Sequence, residues 1–96
     1  MKVVLIAHLK IRLIERGIPK SYPRIIIQNY EQKYKDLNTG YLIAVKNMEY
    51  KGKLRPMAVA YDIIESGAEA VTIYPTSKQE IKNKSKRGRW TKYEEE

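Results

Sequence analysis

The sequence predicts an α+β domain, and three observations support this fold class. Apolar residues recur with the helical period of 3.6 in the N-terminal third of the chain. The middle of the chain changes to the alternation of apolar and polar residues that is typical of strands. The length of 96 residues, with 43% hydrophobic residues, suits one compact core but not two. We therefore expect a single domain over residues 1–92 and a disordered acidic tail over residues 93–96.

The first element is predicted to be a helix with an apolar face. The residues that follow the helical period on this face are Val3, Ala7, Ile11 and Ile14. The residues at 3–5 would also suit a short strand. Gly17 can adopt the left-handed conformation that often ends a helix, and Pro19 prevents the helix from continuing. A second short helix is predicted over residues 20–29.

The central region is predicted to be an antiparallel meander of three or four strands. Three alternating runs define it, at residues 41–46, 57–64 and 69–74. Lys33–Lys35 is expected to add an edge strand, and Lys51-Gly52 and Glu65-Ser66-Gly67 are expected to form the turns. Ser77-Lys78-Gln79-Glu80 has the pattern of a capping box, which predicts a final helix through about residue 84. Two helices would thus pack on the meander, with a short basic helix and tail at the C-terminus.

Positive charge is concentrated near the C-terminus. The chain has 19 basic and 11 acidic residues, a net charge of +8, and residues 78–92 contain seven basic residues and one acidic residue. This density predicts an anionic partner, with RNA or another nucleic acid as the expected one, although a solubilising surface is the simpler alternative. The predicted nucleic-acid-binding residues are Arg16, Lys78, Lys82, Lys84, Lys86, Arg87, Arg89 and Trp90. Trp90 would either stack on a base or dock the C-terminal segment onto the sheet.

The composition excludes several classes of function. The absence of cysteine removes disulfides, Cys-zinc sites, iron–sulfur clusters and thiol catalysis. His8 is the single histidine, so a multi-histidine metal site is excluded, and we expect no metal and no cofactor. The longest apolar stretch, at residues 3–7, is too short to span a bilayer. A cytoplasmic protein without a membrane partner is therefore expected.

The polar residues of the first helix suggest RNA cleavage. The residues spaced to share one helix face are His8, Arg12, Glu15 and Arg16. Cleavage without a metal needs groups that transfer protons and cations beside the phosphate, and histidine and arginine suit these roles. The partner of His8 in proton transfer would be Tyr74, Tyr61, a lysine or none. In the simpler interpretation, His8 bonds Glu15 or a carbonyl on a solvated helix face.

Three short motifs resemble those of a known family. They are His8-x3-Arg12-x2-Glu15-Arg16-Gly17-Ile18, Val71-Thr72-Ile73-Tyr74 and Arg87-Gly88-Arg89-Trp90. In this order they resemble the "H…R..ERGI" helix, the "VxTxY" strand and the "GRW" ending of a family of small bacterial and archaeal proteins of unknown function. The resemblance covers about residues 5–92. That family is grouped with the barnase, EndoU-type, colicin-type and RelE-like ribonucleases.

The resemblance implies a metal-independent endoribonuclease of the toxin–antitoxin type, or an inactive relative of one. Carried over by position, the helix group is His8, Arg12 and Arg16, the sheet group is Thr72, and Arg89 is the closing basic residue. The chain lacks the second histidine that some of these nucleases carry on the sheet. The implied partners are RNA and either an antitoxin or a second copy of the chain.

Two other classes of function remain as alternatives. The first is a non-catalytic RNA- or DNA-binding module, and the second is a structural partner in a small complex. A nuclease requires His8 and Arg12 to converge in a cleft with Thr72 or Tyr74. A binding module requires only a continuous basic surface with exposed aromatic residues. A structural partner requires an exposed apolar patch instead.

Overall fold

Residues 1–93, the part of the chain that the computed structural model describes, form six strands and three helices. In chain order they are β1 (Lys2–Leu5), α1 (Ala7–Arg16), α2 (Tyr22–Gln28), β2 (Gln32–Asp36), β3 (Leu42–Tyr50), β4 (Lys53–Ile64), β5 (Gly67–Pro75), α3 (Lys78–Lys86) and β6 (Trp90–Lys92). No helix within this range is long and apolar enough to cross a membrane. Of the predicted acidic tail, residues 94–96 lie outside the described residues, whereas the backbone N–H of Tyr93 donates to the carbonyl of Lys33 at 2.9 Å.

All six strands form one sheet in the order β1-β5-β4-β3-β2-β6. Strands β2 to β5 form the predicted antiparallel meander. The prediction of a three- to four-stranded sheet is nevertheless wrong, because each end of the chain adds a strand. Strand β1 pairs in parallel with β5, and β6 pairs antiparallel with β2. Each of these pairings joins segments from opposite halves of the chain, so no local sequence pattern predicts it.

The turns of the meander are the predicted ones. Lys51 and Gly52, between β3 and β4, have φ angles of 54° and 78°. Two left-handed residues in succession are what a tight two-residue hairpin turn requires. Glu65-Ser66 connects β4 to β5, where Ile64 pairs with Gly67. Gly67, at φ 146°, also lies against β1, and a Cβ added there would overlap the carbonyl oxygen of Lys2. Glycine thus permits the parallel strand to approach.

One face of the sheet, the α1–α2 face, is covered by the first two helices. Its buried core is mostly aliphatic and consists of Leu9, Leu13, Ile18, Ile26, Ile27, Ala44, Tyr50, Met57, Val59, Tyr61, Ala68, Ala70 and Ile73. The prediction that Ile11 and Ile14 lie on the buried face of α1 is wrong, since Ile11 is 57% exposed and Ile14 is 84% exposed. Val3 belongs to β1, so the helix begins later than its pattern suggested. The side of α1 that meets the sheet is the one that carries Leu9 and Leu13.

The opposite face of the sheet, the α3 face, is partly covered by the C-terminal segment. Its core consists of Tyr34, Ile43, Val45, Ala58, Ala60, Ile81 and Trp90. Helix α3 begins at the predicted capping box, where the Ser77 hydroxyl accepts from the Glu80 N–H at 3.1 Å. The Glu80 carboxylate accepts from the Thr76 hydroxyl, also at 3.1 Å. These two bonds fix where the basic helix starts.

Candidate nucleic-acid interface

Trp90 and Asp36 hold the C-terminal segment on the sheet. Trp90 is 1% exposed, its ring lies 5.3 Å from that of Tyr34, and its indole N–H donates to Asp36 Oδ2 at 3.4 Å. Asp36 Oδ1 accepts from the backbone N–H groups of Asn38 and Thr39 at 2.9 and 3.3 Å. One buried carboxylate therefore joins the turn after β2 to the tryptophan of β6. The docking interpretation of Trp90 is confirmed, and its ring has no free face on which a base could stack.

Lys84, Tyr74 and Arg89 lie around this anchor. The Lys84 ammonium is 4.4 Å from the ring centroid of Trp90 and 5.0 Å from that of Tyr74, and it donates to the Tyr74 hydroxyl at 3.4 Å. Arg89 Nε lies 3.6 Å from Asp36 Oδ2, and the Arg89 side chain is 46% exposed. A lysine, a tyrosine hydroxyl and an accessible guanidinium are thus gathered beside one buried carboxylate.

Burial changes the proton affinities of the Lys84–Tyr74 pair. It raises the pKa of Tyr74 to about 12, and the negative charge of Asp36 adds to the increase. Burial also lowers the pKa of Lys84, and the nearby Arg89 acts in the same direction, while Glu80 and Asp36 oppose it. The tyrosine hydroxyl therefore stays protonated at neutral pH, whereas the lysine releases its proton more readily than an exposed lysine does.

The outer surface of α3 carries a row of lysines. Lys78, Lys82 and Lys86 are four residues apart, so they share one helix face, and all three are exposed. Four residues advance a helix by about 6 Å, so the row spans about 12 Å. Arg87 follows at the end of the helix and is also exposed. Among residues 1–93, none of these four cations forms an ion pair.

We call the α3–β6 surface the area formed by Lys78, Lys82, Lys84, Lys86, Arg87 and Arg89. At one side of it, between α3 and β2, lies a shallow groove of about 230 Å³ that is lined by Gln32, Tyr34, Lys78, Ile81 and Lys82. The Tyr34 hydroxyl donates to Gln32 Oε1 at 3.0 Å, which orients the amide beside the lysines. Sequence reasoning missed Gln32, Tyr34 and Asp36, although their spacing of two residues places them on one face of a strand.

The predicted catalytic residues fall into two separate groups. His8 and Arg12 are exposed on α1, which packs on the α1–α2 face. Thr72 and Tyr74 point to the α3 face, because successive side chains of a strand alternate and Ile73 belongs to the core beneath α1. The sheet separates the two groups, so the cleft in which they would converge is not found.

Arg16 lies apart from the α3–β6 surface. It is half-buried, and its Nη1 donates to the carbonyl of Ile73 at 3.1 Å. Its own carbonyl accepts from the Tyr50 hydroxyl at 3.3 Å. Arg16 therefore ties the end of α1 to strands β3 and β5. Of the predicted nucleic-acid-binding residues, Lys78, Lys82, Lys84, Lys86, Arg87 and Arg89 lie together, whereas Arg16 and Trp90 have packing roles.

Comparisons with protein-family models, with curated proteins and with solved structures find no match for this chain.

Proposed function

We propose that the protein binds RNA or another nucleic acid through phosphate contacts along the α3–β6 surface. The observation that supports this most directly is the row formed by Lys78, Lys82 and Lys86. Three ammonium groups on one helix face, without acidic partners among residues 1–93, repel one another unless an anion lies between them. A polyanionic strand that follows the helix would relieve this repulsion and release its own counterions.

The neighbouring sheet surface suits the bases of such a strand. Tyr41 and Tyr74 are half-buried on the α3 face and pack against its core, so part of each ring remains accessible. Tyrosine rings stack on bases with little sequence preference. The groove beside Gln32 and Tyr34 offers an amide and a hydroxyl for hydrogen bonds to a base or a sugar. The proposed interface thus combines phosphate contacts on α3 with stacking on the sheet.

Filter binding of an RNA oligonucleotide over a range of salt concentrations tests this proposal. If about 4–6 phosphates are contacted, log affinity should fall with log salt at a slope of about −3 to −5. The triple variant Lys78→Gln/Lys82→Gln/Lys86→Gln should reduce the magnitude of that slope by about 2–3, since each lost phosphate contact removes about 0.7–0.9.

A matched control removes the same charge elsewhere. The triple variant Lys10→Gln/Lys20→Gln/Arg24→Gln lies at the other side of the sheet and should leave the slope unchanged. Competition with DNA of the same sequence shows whether the 2′-hydroxyl matters. Absence of binding at low salt, or equal losses in the two triple variants, would exclude the α3–β6 surface as the interface.

We also propose a second, catalytic candidate, a metal-independent endoribonuclease whose site is the cluster around Lys84. The observation in its favour is that the Lys84–Tyr74 pair lies beside the accessible Arg89. In its neutral form, Lys84 would accept the proton of the 2′-hydroxyl as that oxygen attacks phosphorus, while Arg89 would stabilise the negative phosphorane. Tyr74 would give its proton to the leaving 5′-oxygen, so that the products carry a 2′,3′-cyclic phosphate and a 5′-hydroxyl.

Cleavage of labelled RNA in the presence of EDTA tests this candidate. Lys84→Met should slow cleavage by about 10²–10⁴-fold, and Arg89→Gln by about 10²–10³-fold. His8→Ala should cleave at the wild-type rate, because the sheet separates His8 from the cluster. Intact RNA after incubation with micromolar wild-type protein would leave binding as the function. A large loss of cleavage rate in His8→Ala would indicate instead that the catalytic residues lie on α1.

A further inference from the structure

The edge of the sheet at β1 has an open hydrogen-bonding side. Strand β1 pairs with β5, and within residues 1–93 no strand pairs with its other side. The N–H of Ile6 donates to the carbonyl of Ala70 on β5 at 3.3 Å. Because N–H groups alternate in direction along a strand, those of Val3 and Leu5 point away from β5. The outer side of β1 therefore presents unpaired backbone groups of the kind that accept an added strand.

A basic groove runs along this edge. It has a volume of about 660 Å³, and β1 forms one wall while the first turn of α1 and the start of α2 contribute the rest. Four of its lining residues are basic, Lys2, Lys10, Lys20 and Arg24, and none is acidic. The walls contributed by Val3 and Leu5 are apolar. An occupant of this groove would thus meet cations on one side and a strand edge on the other.

We propose that this groove binds an extended acidic peptide of another protein, which adds a strand to β1. The main chain of such a peptide would pair with the outward backbone groups of Val3 and Leu5. Its alternate acidic side chains would reach Lys10, Lys20 and Arg24, which lie on the α1–α2 side of the groove. Strand β1 has four residues and is therefore about 13 Å long, so the paired segment would have four or five residues.

Two features favour a peptide over a nucleic acid at this place. A nucleic-acid backbone has no N–H and C=O groups with which to continue a sheet, so it would use the charges but not the strand edge. The groove also lies far from the α3–β6 surface, since β1 and β6 are opposite edges of the sheet, about 24 Å apart at five strand spacings of about 4.8 Å. The two surfaces can therefore bind different partners.

The partner should have an apolar residue beyond its acidic segment. Ile14 lies one turn after Lys10 on the same face of α1 and is 84% exposed. An exposed apolar side chain therefore follows Lys10 on this face of the helix. We expect a partner segment in which acidic and β-branched residues alternate and are followed by an aliphatic residue.

Fluorescence anisotropy of the full chain with labelled peptides tests the proposal. The probe is a short peptide of alternating Glu and Val that ends in Leu, and we expect a dissociation constant in the micromolar range. The same peptide with Lys in place of Glu, and one with alternate backbone nitrogens methylated, should each bind at least about tenfold more weakly. Methylation removes the pairing N–H groups but retains the charge.

Variants of the protein locate the binding site. Lys10→Glu/Arg24→Glu should weaken binding by at least about tenfold, whereas Lys82→Glu/Lys86→Glu, with the same change in net charge, should alter it by less than about twofold. Val3→Pro removes an outward N–H at an edge strand, where proline is tolerated. This variant should weaken binding of the acidic peptide while its circular dichroism spectrum remains that of the wild type.

Three results would overturn the proposal. Equal affinity for the methylated peptide would show that charge alone attracts it. Absence of binding would show that the lysines only prevent β1 from pairing with strands of other chains. Displacement of the peptide by RNA, together with loss of RNA binding in Lys10→Glu/Arg24→Glu, would assign the groove to a nucleic acid. The first two results leave the α3–β6 surface untouched, because it is tested separately by its own triple variant. The third result would count against both proposals, and an unchanged RNA affinity of Lys78→Gln/Lys82→Gln/Lys86→Gln would then exclude the α3–β6 surface.

Discussion

The two faces of the sheet are closed by different kinds of interaction. On the α1–α2 face, two helices contribute aliphatic side chains, and the core that they form with the strands is almost entirely apolar. On the α3 face, the helix contributes one buried apolar side chain, Ile81. The Trp90 ring contributes the rest, through its hydrogen bond to Asp36 and its contact with the Tyr34 ring. Apolar burial is non-directional, whereas the second arrangement depends on particular partners.

This difference would let the fold separate its stability from the proposed binding of nucleic acid. The α1–α2 face excludes water mainly by apolar burial, and the Arg16 guanidinium bonds the Ile73 carbonyl at its border. The α3 face holds the Lys84 ammonium close to the Trp90 ring, where its charge is less screened than on an open surface. The proposed interface therefore lies on the face whose packing is polar and specific. Substitutions on the two faces should affect stability and nucleic-acid binding in different proportions.

Trp90→Ala should have the largest effect and should affect both properties. Removing a buried tryptophan typically costs about 3–5 kcal/mol of unfolding free energy. Loss of the ring also releases β6 from β2 and removes the support of Lys84, so RNA affinity should fall even where the variant is folded. Urea denaturation followed by circular dichroism, and filter binding at low temperature, measure the two effects.

Leu13→Ala is the matched control on the α1–α2 face. It should cost about 2–5 kcal/mol, because Leu13 is buried among aliphatic residues. The folded variant should bind RNA as the wild type does. A similar loss of RNA affinity in Leu13→Ala and Trp90→Ala would show that the two faces are not functionally distinct.

Asp36→Asn should cost about 1–3 kcal/mol, the penalty for leaving a buried polar group without its partner. The asparagine keeps the size of the side chain and can still accept from Asn38 and Thr39. Its amide N–H₂ would face the indole N–H of Trp90, so two donors would meet. Asp62→Asn on the exposed part of β4 is the control and should change stability by less than about 0.5 kcal/mol. An equal, small effect of both substitutions in urea denaturation would mean that the Asp36 network does not hold the C-terminal segment.

Tyr74→Phe removes the hydroxyl that accepts from Lys84, and its distinctive effect on stability should be on the pH dependence at high pH. The pKa of Tyr74 rises on folding from 10.0 to about 12, so the neutral hydroxyl is favoured in the folded state. A group of this kind contributes stability that is complete below pH 10 and is lost as the pH rises through 12. The melting temperature of the wild type should therefore fall more steeply between these values than that of Tyr74→Phe. Parallel curves for the two proteins would contradict the buried environment of this hydroxyl.

Ile14→Ser should have the smallest effect on stability, below about 0.5 kcal/mol, because the side chain of Ile14 is largely exposed. The same substitution should weaken binding of the acidic probe peptide that ends in Leu. A stability loss as large as that of Leu13→Ala would mean that α1 presents its other side to the sheet.

Local signals in the sequence predicted much of the fold. The Lys51-Gly52 turn, the Ser77 cap and the central strands follow from short patterns of two to twelve residues, in which each residue acts through its own backbone preference or its immediate neighbours. The concentration of charge on the C-terminal segment is likewise a property of the sequence alone. These features are robust because no distant partner is needed to produce them.

Contacts between distant segments decided the parts of the fold and of the candidate site that the sequence did not predict. The pairing of β1 with β5, the pairing of β6 with β2 and the burial of Leu9 and Leu13 rather than Ile11 and Ile14 each depend on which surfaces meet after the chain has folded. The sequence placed His8 and Arg12 on one helix face and Thr72 in a strand. Only the tertiary structure decided that the sheet lies between them, because alternation within a strand does not say which side a helix will cover.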